Sequence, residues 1–160
     1  MNEPTSGARR IPRAIVAGHG EFAAGLVSAV QQITGRGDVF RAISARDLSG
    51  ADLDALLRRT LEETGVTVVF TDLQAGSCSM ATRRVLRDRP DVLLVAGANL
   101  PMLLDFVFAE NVPAMEAARH ALERGRAAII AVVGGRTSGR TSGRAGGGSG
   151  GGSGEGGSPK

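Results

Sequence analysis

Short apolar runs alternate along the chain with longer segments of helical periodicity, and this alternation constrains the fold more than any other feature. Four runs are apolar enough to form strands buried in a parallel sheet, namely residues 13–18, 38–44, 66–72 and 91–98. Helices between successive strands predict crossover connections and a parallel sheet that is covered on both faces. We therefore predict an α/β fold, a flavodoxin-like open sheet of mostly parallel strands in the order 2-1-3-4.

Capping and turn residues set the expected ends of the helices. In the first helix, apolar side chains recur at helical spacing from Phe22 to Ile33, and Gly35 follows as a C-terminal cap. Ser49 stands three residues before Asp52, which is the spacing of an N-cap with its capping partner. The helices are predicted at residues 21–34, 50–64, 80–88, 99–110 and 113–126.

The last apolar run, AAIIAVV at residues 127–133, has two interpretations. It forms either a fifth strand, which would complete an edge of the sheet, or a continuation of the helix before it. Periodicity does not separate these cases over so short a run, so both stay open.

Both ends of the chain have compositions that cannot build a core. Residues 134–160 contain a doubled RTSG unit followed by Gly/Ser repeats, with little apolar surface to bury. We expect a flexible leader at residues 1–12, a folded domain at residues 13–133, and a Gly/Ser-rich disordered tail or linker at residues 134–160.

Charge and cysteine content exclude several classes of function. The net charge of +3 comes from the segment 134–160, and the rest of the chain is neutral with few aromatic side chains, so we expect no nucleic-acid partner. A single cysteine, Cys78, excludes an internal disulfide and a cysteine metal cluster, and we expect no metal and no cofactor. Without a long apolar run or a signal sequence, the chain is predicted to be cytoplasmic.

A histidine between two glycines marks the candidate site. His19 follows the first strand within GHGEFA (18–23), and Asp72 ends the third strand. Strands 1 and 3 are neighbours in the predicted order and lie about 4.8 Å apart. We therefore expect the two side chains to meet beyond the carboxyl ends of these strands. The other histidine, His120, is expected on a solvated helix face.

Two alternative chemistries use the same residues. GHGEFA fits the G-x-G-x-x-A pattern of a dinucleotide site, in which Asp47 would have to bind the ribose. Ser77, His19 and Asp72 have the residue types of a hydrolase triad, although AGSCS around Ser77 is not the G-x-S-x-G elbow.

The third chemistry is a phosphohistidine carrier. A neutral imidazole attacks phosphorus and then holds the phosphoryl group covalently. Asp72 supplies a carboxylate that fixes the tautomer of His19. Backbone N–H groups at Gly20 and in the turn 75–79, together with the Ser77 hydroxyl, are candidates to bind the phosphoryl oxygens at helix N-termini. The glycines beside His19 would let the backbone approach that group.

Three blocks of sequence together resemble the IIA component of the mannose family of the bacterial phosphoenolpyruvate-dependent sugar phosphotransferase system. The blocks are AIVAGHGEFAAGL (14–26), VFTDLQAGSCSMA (69–81) and VAGANLPMLLD (95–105). They occur in the order and spacing of the family, and the similarity extends over residues 13–130.

The resemblance implies a phosphotransferase component with a covalent phosphohistidine. His19 would accept a phosphoryl group from the histidine-containing phosphocarrier protein and pass it to a IIB component, fused or separate, which serves the membrane components IIC and IID. Asp72 would hydrogen-bond His19, and Ser77 and the neighbouring amides, among them Gly76, would contact the phosphoryl group. The resemblance also implies a homodimer in which residues 127–133 form an antiparallel edge strand exchanged between subunits.

The turn before the third helix departs from the family pattern. A glycine-glycine-serine-proline turn is replaced here by Ala-Gly-Ser-Cys at residues 75–78, and Met80 stands where asparagine is usual. Ala75 would be strained if its position required a positive φ. Cys78 is expected to be a small packing residue.

Overall fold

Four strands form one parallel sheet in residues 11–134, the part of the 160-residue chain that the computed structural model describes. The strands are β1 (Ala14–Gly18), β2 (Phe40–Ser44), β3 (Val68–Thr71) and β4 (Leu93–Ala96). Their spatial order, β2-β1-β3-β4, confirms the predicted flavodoxin-like sheet. The central strands β1 and β3 lie side by side, and β2 and β4 form the edges.

Five α-helices connect and follow these strands in the described part of the chain. They are α1 (Phe22–Thr34), α2 (Gly50–Thr64), α3 (Ser77–Val85), α4 (Leu100–Phe108) and α5 (Ala114–Ala127). The largest error of prediction concerns α3, which was expected at residues 80–88. Its first turn, Ser-Cys-Ser, carries no apolar periodicity, so the pattern placed the start of the helix too late.

Local capping explains where α1 and α2 begin and end. Gly35 and Gly65 adopt left-handed φ values of 72° and 67°, and each returns its N–H to a carbonyl oxygen of the helix it ends. The Ser49 hydroxyl accepts the Asp52 N–H at 3.1 Å, and the Asp52 carboxylate accepts the Ser49 N–H at 3.4 Å. The predicted cap at the start of α2 is thereby confirmed.

The core consists of two apolar layers, one on each face of the sheet. Helices α1, α4 and α5 cover one face, where the rings of Phe70 and Phe106 pack edge to face with centroids 5.3 Å apart. Helices α2 and α3 cover the other face, where Leu57 and Val85 are fully buried. Strand β1 is buried on both sides, which is why its sequence is continuously apolar rather than alternating.

The apolar run 127–133 does not extend the last helix. Helix α5 ends at Ala127, and residues 128–133 have no regular secondary structure. The interpretation as a continued helix is therefore wrong. An edge strand exchanged between two copies has nothing to pair with in a single chain, so that interpretation stays a prediction. Ile33, which was expected on the apolar face of the first helix, is instead 57% exposed in the last turn of α1.

The predicted leader and tail fall almost wholly outside the described residues. Only the last two residues of the leader and the first residue of the tail belong to the range 11–134. Both therefore stay predictions. No helix in this range is long and apolar enough to cross a membrane.

Candidate active site

His19 and Asp72 meet at the carboxyl edge of the sheet, where the central strands β1 and β3 end. Parallel pairing places Ala17 opposite Thr71, so the residues that follow these strands are neighbours. Asp72 Oδ2 accepts the backbone N–H of His19 at 2.9 Å and lies 2.6 Å from His19 Nδ1. The contact predicted from the strand order is present.

Hydrogen-bond donors surround the Asp72 carboxylate. Burial raises the pKa of Asp72, but the backbone N–H and imidazole of His19 and the backbone N–H of Leu73 stabilise the charged form more strongly. The Leu73 N–H donates to Asp72 Oδ1 at 2.8 Å. The pKa of Asp72 therefore lies below its ordinary value, and the side chain is a carboxylate at neutral pH.

This carboxylate determines which imidazole nitrogen carries the proton. An ionised carboxylate can only accept hydrogen bonds, so in the neutral imidazole the proton sits on Nδ1 and Nε2 keeps its lone pair. Ser77 Oγ lies 3.1 Å from His19 Nε2, and its hydroxyl is the donor in that contact. In this arrangement Nε2 is therefore the imidazole nitrogen that keeps a lone pair.

The imidazole is open to solvent, whereas the carboxylate that orients it is covered. The side chain of His19 is 51% exposed, and that of Asp72 is 9% exposed. A reactive group on another protein can therefore reach the imidazole without disturbing the group that fixes its tautomer.

Backbone conformation and packing explain why glycines stand around His19. Gly20 adopts a φ of +52°, and a β-carbon at Gly18 would lie 2.5 Å from the ring of Phe22. These reasons differ from the predicted approach of a phosphoryl group to the backbone. A β-carbon at Gly76 would lie 3.0 Å from His19 Cε1, so Gly76 leaves room for the imidazole itself.

A helix N-terminus lies beside the imidazole. Gly76 caps the nine-residue helix α3, and the first N–H groups of a helix, here those of Ser77 and Cys78, have no acceptor within it. Its partial positive charge favours an anion near His19. Helix α1 offers fewer free N–H donors for an anion than predicted, because the Phe22 N–H already donates to the His19 carbonyl oxygen at 3.1 Å.

The departures from the family turn do not strain the backbone. Asp47, with a φ of 59°, is the only residue other than glycine with a positive φ in residues 11–134, so Ala75 is unstrained. Cys78 is fully buried. Burial raises the pKa of its thiol to about 11, the charge of Asp72 adds to the rise, and a hydrogen bond with Ser77 opposes it. Its predicted packing role is confirmed.

Three hydroxyl groups that support the site were missed by the sequence analysis. Ser44, at the end of β2, donates to the carbonyl oxygen of Gly20 at 2.9 Å. Thr71 and Ser79 are fully buried, and their hydroxyl oxygens lie 2.6 Å apart. For Ser44 and Thr71 the available signal was a small polar residue at the end of a strand, which is also common in ordinary turns, whereas Ser79 carried no such signal.

The second histidine forms a similar pair elsewhere, between α4 and α5. His120 Nδ1 lies 2.8 Å from Asp105 Oδ2, and the side chain of His120 is 63% exposed. Its predicted place on a solvated face is confirmed. Because it repeats the His–Asp contact outside the candidate site, this pair provides a matched control.

The contacts among Ser77, His19 and Asp72 also follow the order of a hydrolase triad. Ser77, however, begins a regular helix and has no positive φ of the kind found at a nucleophile elbow. Asp47, required for a dinucleotide site, lies in the loop between β2 and α2. No three His, Cys, Asp or Glu side chains group as metal ligands among the described residues.

A protein family matches the part of the sequence that holds both turns of the site. The sequence model of the family EIIA-man, described as the fructose IIA component of the phosphotransferase system (PTS), matches residues 13–123. The matched range contains GHGEFA and the turn before α3. No curated protein matches the chain by sequence.

Two solved structures share the fold. The mannose/sorbose-specific IIA subunit of the PTS from Enterococcus faecalis is 24% identical, with a TM-score of 0.68, over 79% of this chain and 98% of that one. The PTS component EIIA from Streptococcus agalactiae is 21% identical, with a TM-score of 0.68, over 74% of this chain and 95% of that one. The family match covers well over half of the sequence, and the chain therefore belongs to the mannose/fructose IIA family of the phosphotransferase system.

Proposed function

We propose that His19 Nε2 accepts a phosphoryl group from the histidine-containing phosphocarrier protein and passes it to a IIB component. Membership of the IIA family assigns the chain to phosphoryl transfer in sugar uptake, and the proposal adds the reacting atom and the partners. The two contacts of the imidazole carry it: Asp72 at 2.6 Å from Nδ1 and Ser77 at 3.1 Å from Nε2. Together they leave the lone pair on the nitrogen that faces a helix N-terminus.

The transfer is a displacement at phosphorus. The lone pair of His19 Nε2 attacks the phosphorus of the donor phosphohistidine and forms a new N–P bond. The donor N–P bond breaks, and its electron pair returns to the donor imidazole. The Nδ1 proton stays on His19, and the Asp72 charge offsets the positive charge that phosphorylation leaves on the ring. The acceptor group of IIB then attacks the same phosphorus, and the bond between phosphorus and His19 Nε2 breaks.

Ser77 changes its hydrogen-bond partner during this step. Its hydroxyl donates to Nε2 before transfer, and it turns to a phosphoryl oxygen once the lone pair has become the N–P bond. The N–H groups of Ser77 and Cys78 at the start of α3 add donors to the same anion. Gly20 is proposed to contribute its N–H from the opposite turn, while Gly76 keeps space beside the ring.

The proposed partners define the functional unit and its place. Residues 13–133 form the carrier domain, which includes the residues 13–123 matched by the family. The reaction takes place in the cytoplasm, and the membrane components IIC and IID receive the phosphoryl group only through IIB. The leader and the tail lie outside this unit.

Phosphorylation of the purified full chain tests the proposal. Phosphoenolpyruvate, enzyme I and the phosphocarrier protein should yield an acid-labile, base-stable phosphoprotein, which a IIB component then discharges. His19→Ala should abolish labelling, whereas His120→Ala, at the other His–Asp pair, should not. Persistent labelling of His19→Ala would contradict the assignment. Acylation of Ser77 by a serine-directed probe, or saturable binding of NAD, would favour the hydrolase or the dinucleotide alternative.

We also propose that residues 127–133 form the antiparallel edge strand that two copies exchange in a homodimer. Strand β4 pairs only with β3 in the described chain, so the other edge of β4 has unpaired backbone groups. A groove of about 380 Å³ lies beside this strand, lined by residues 94–97 and by side chains of α3 and α5. Ile129 and Ile130 are 77% and 78% exposed, and an exchanged strand would bury them.

Two truncations test the exchange by sedimentation and thermal unfolding. A chain that ends after Gly135 should remain a dimer that accepts phosphate on His19. A chain that ends after Arg126 lacks the strand and should dissociate or aggregate. If the shorter chain stays dimeric and as stable as the longer one, residues 127–133 are not the exchanged element.

A further inference from the structure

Two buried hydroxyl groups, those of Thr71 and Ser79, hydrogen-bond to each other and to the residue that follows Asp72. Thr71 is the last residue of β3, and Ser79 lies in the first turn of α3, and both are fully buried. Thr71 Oγ1 and Ser79 Oγ lie 2.6 Å apart. Ser79 Oγ also donates to the backbone carbonyl oxygen of Leu73. The pair therefore bonds to the residue that follows Asp72.

The direction of these hydrogen bonds follows from the available protons. A carbonyl oxygen can only accept, and a serine hydroxyl has one proton, so the Ser79 proton is directed to Leu73. The proton in the contact between the two hydroxyls must then come from Thr71. The result is a single ordered chain, in which Thr71 donates to Ser79 and Ser79 donates to Leu73.

The backbone of one residue, Leu73, links this chain to the imidazole, because Leu73 accepts through its carbonyl oxygen and donates through its N–H. The Leu73 N–H donates to Asp72 Oδ1 at 2.8 Å, and Asp72 Oδ2 contacts His19 Nδ1 at 2.6 Å. The residue before Asp72 is held as well, because the Thr71 carbonyl oxygen accepts the N–H groups of Gly97 and Ala98, each at 2.9 Å. Hydrogen bonds thus hold the backbone on both sides of Asp72.

We propose that Thr71 and Ser79 are positioning residues for phosphoryl transfer, which hold Asp72 so that its carboxylate keeps the His19 proton on Nδ1. The inference rests on the proposed function of His19. Loss of the Ser79 hydroxyl removes the hydrogen bond to the Leu73 carbonyl oxygen, and loss of the Thr71 hydroxyl removes the donor that holds Ser79 Oγ in place. Either loss loosens the backbone of Leu73 and, with it, the N–H that fixes Asp72 Oδ1. The carboxylate then orients the imidazole less strictly, and the tautomer with its proton on Nε2 gains population.

A neighbouring buried threonine distinguishes positioning from general stabilisation. Thr82 is also fully buried in α3, but its hydroxyl donates to the Cys78 carbonyl oxygen of the same helix at 2.7 Å. Thr82→Val removes a buried hydroxyl of the same kind without touching the backbone around Asp72. It is therefore the matched control for Thr71→Val.

The test measures the tautomer ratio of His19 by nitrogen NMR at a pH at which an imidazole is neutral, about 8.5. Unphosphorylated full-length chains are compared, with His120→Gln in the background so that one imidazole is observed. We expect a dominant Nδ1–H form in the parent and in Thr82→Val, and a larger Nε2–H fraction in Ser79→Ala and Thr71→Val. Thr71→Ser, which keeps the hydroxyl, should restore the parent ratio.

Phosphoryl-transfer rates provide the functional readout. Ser79→Ala and Thr71→Val should slow phosphorylation of His19 by about tenfold, the lower range for loss of a group that orients a functional histidine. An unchanged tautomer ratio in both variants would overturn the inference, as would an equal shift in Thr82→Val. If the parent accepts no phosphoryl group, the proposed function fails, whereas the tautomer ratio still decides whether the pair positions Asp72.

Discussion

Replacement of Asp72 by asparagine tests how the site is built, because it removes a charge and alters hydrogen bonding with little change of shape. All three contacts of the carboxylate come from donors. They are the His19 backbone N–H at 2.9 Å, the His19 Nδ1 at 2.6 Å and the Leu73 N–H at 2.8 Å. Asparagine offers one oxygen and one NH₂ group, so a donor must face a donor in either orientation.

The two orientations of the amide set the expected magnitude. If its oxygen faces His19, the Leu73 N–H loses its acceptor. If its NH₂ faces His19, the imidazole must place its own proton on Nε2, and the nucleophilic lone pair is lost. Each orientation forfeits a charge-assisted hydrogen bond, which lowers the free energy of unfolding by about 1.5–3 kcal/mol. The second orientation also loses the oriented tautomer, and both lose the charge that offsets the phosphorylated ring, so phosphoryl transfer should slow by about 10²–10⁴-fold.

Rapid-quench measurement of phosphorylation and urea unfolding provide the two readouts for Asp72→Asn. We expect Asp72→Asn to fold, with a lower free energy of unfolding and slower phosphoryl transfer than the wild type. Asp105→Asn changes the corresponding contact of His120, which is 2.8 Å long, and should leave the transfer rate unchanged. A wild-type transfer rate in Asp72→Asn would refute the reasoning and reduce Asp72 to a turn residue.

Three further predictions follow from the same geometry. Gly76→Ala places a β-carbon 3.0 Å from His19 Cε1 and should slow phosphoryl transfer by about tenfold or more. Gly25→Ala, which has open space around its β-carbon, should leave the rate unchanged, and equal transfer rates in the two variants would contradict this prediction. Because the pKa of Asp72 is lower in the folded state, its carboxylate stabilises the fold fully above the ordinary pKa of 3.8, and this contribution is lost as pH falls through the folded-state pKa. Urea unfolding at a series of pH values should show this loss in the wild type and not in Asp72→Asn. Cys78, buried and with a pKa of about 11, should react slowly with a thiol reagent at about pH 8 and rapidly in urea; fast reaction of the native chain would show that it is accessible.

The parts of the fold that follow from local chemistry were predictable from the sequence. Strand β1 is apolar throughout because both its faces are buried, and Gly35 ends α1 because the cap requires a left-handed φ. The start of α3 was missed because its N-cap, Gly76, and its first residue, Ser77, carry no periodic signal. The run 127–133 stayed ambiguous because seven apolar residues are too few for periodicity to separate a strand from a helix.

The site could be predicted only as far as the strand order fixes it. Adjacent strands β1 and β3 bring His19 to Asp72 whatever the details of the loops. The contact between Thr71 and Ser79 depends on where α3 begins, and that start carries no periodic signal, so the pair was not recognised. Gly18 was given a role toward a ligand, whereas its nearest constraint is the ring of Phe22.

The atom that carries the phosphoryl group is the most direct test of this account. NMR of the phosphorylated chain, with nitrogen-labelled histidine, shows through the N–P coupling which imidazole nitrogen is bonded to phosphorus. The contacts of Asp72 with Nδ1 and of Ser77 with Nε2 predict attachment to Nε2 of His19, with the proton retained on Nδ1. Attachment to Nδ1, or to any residue other than His19, would contradict the account.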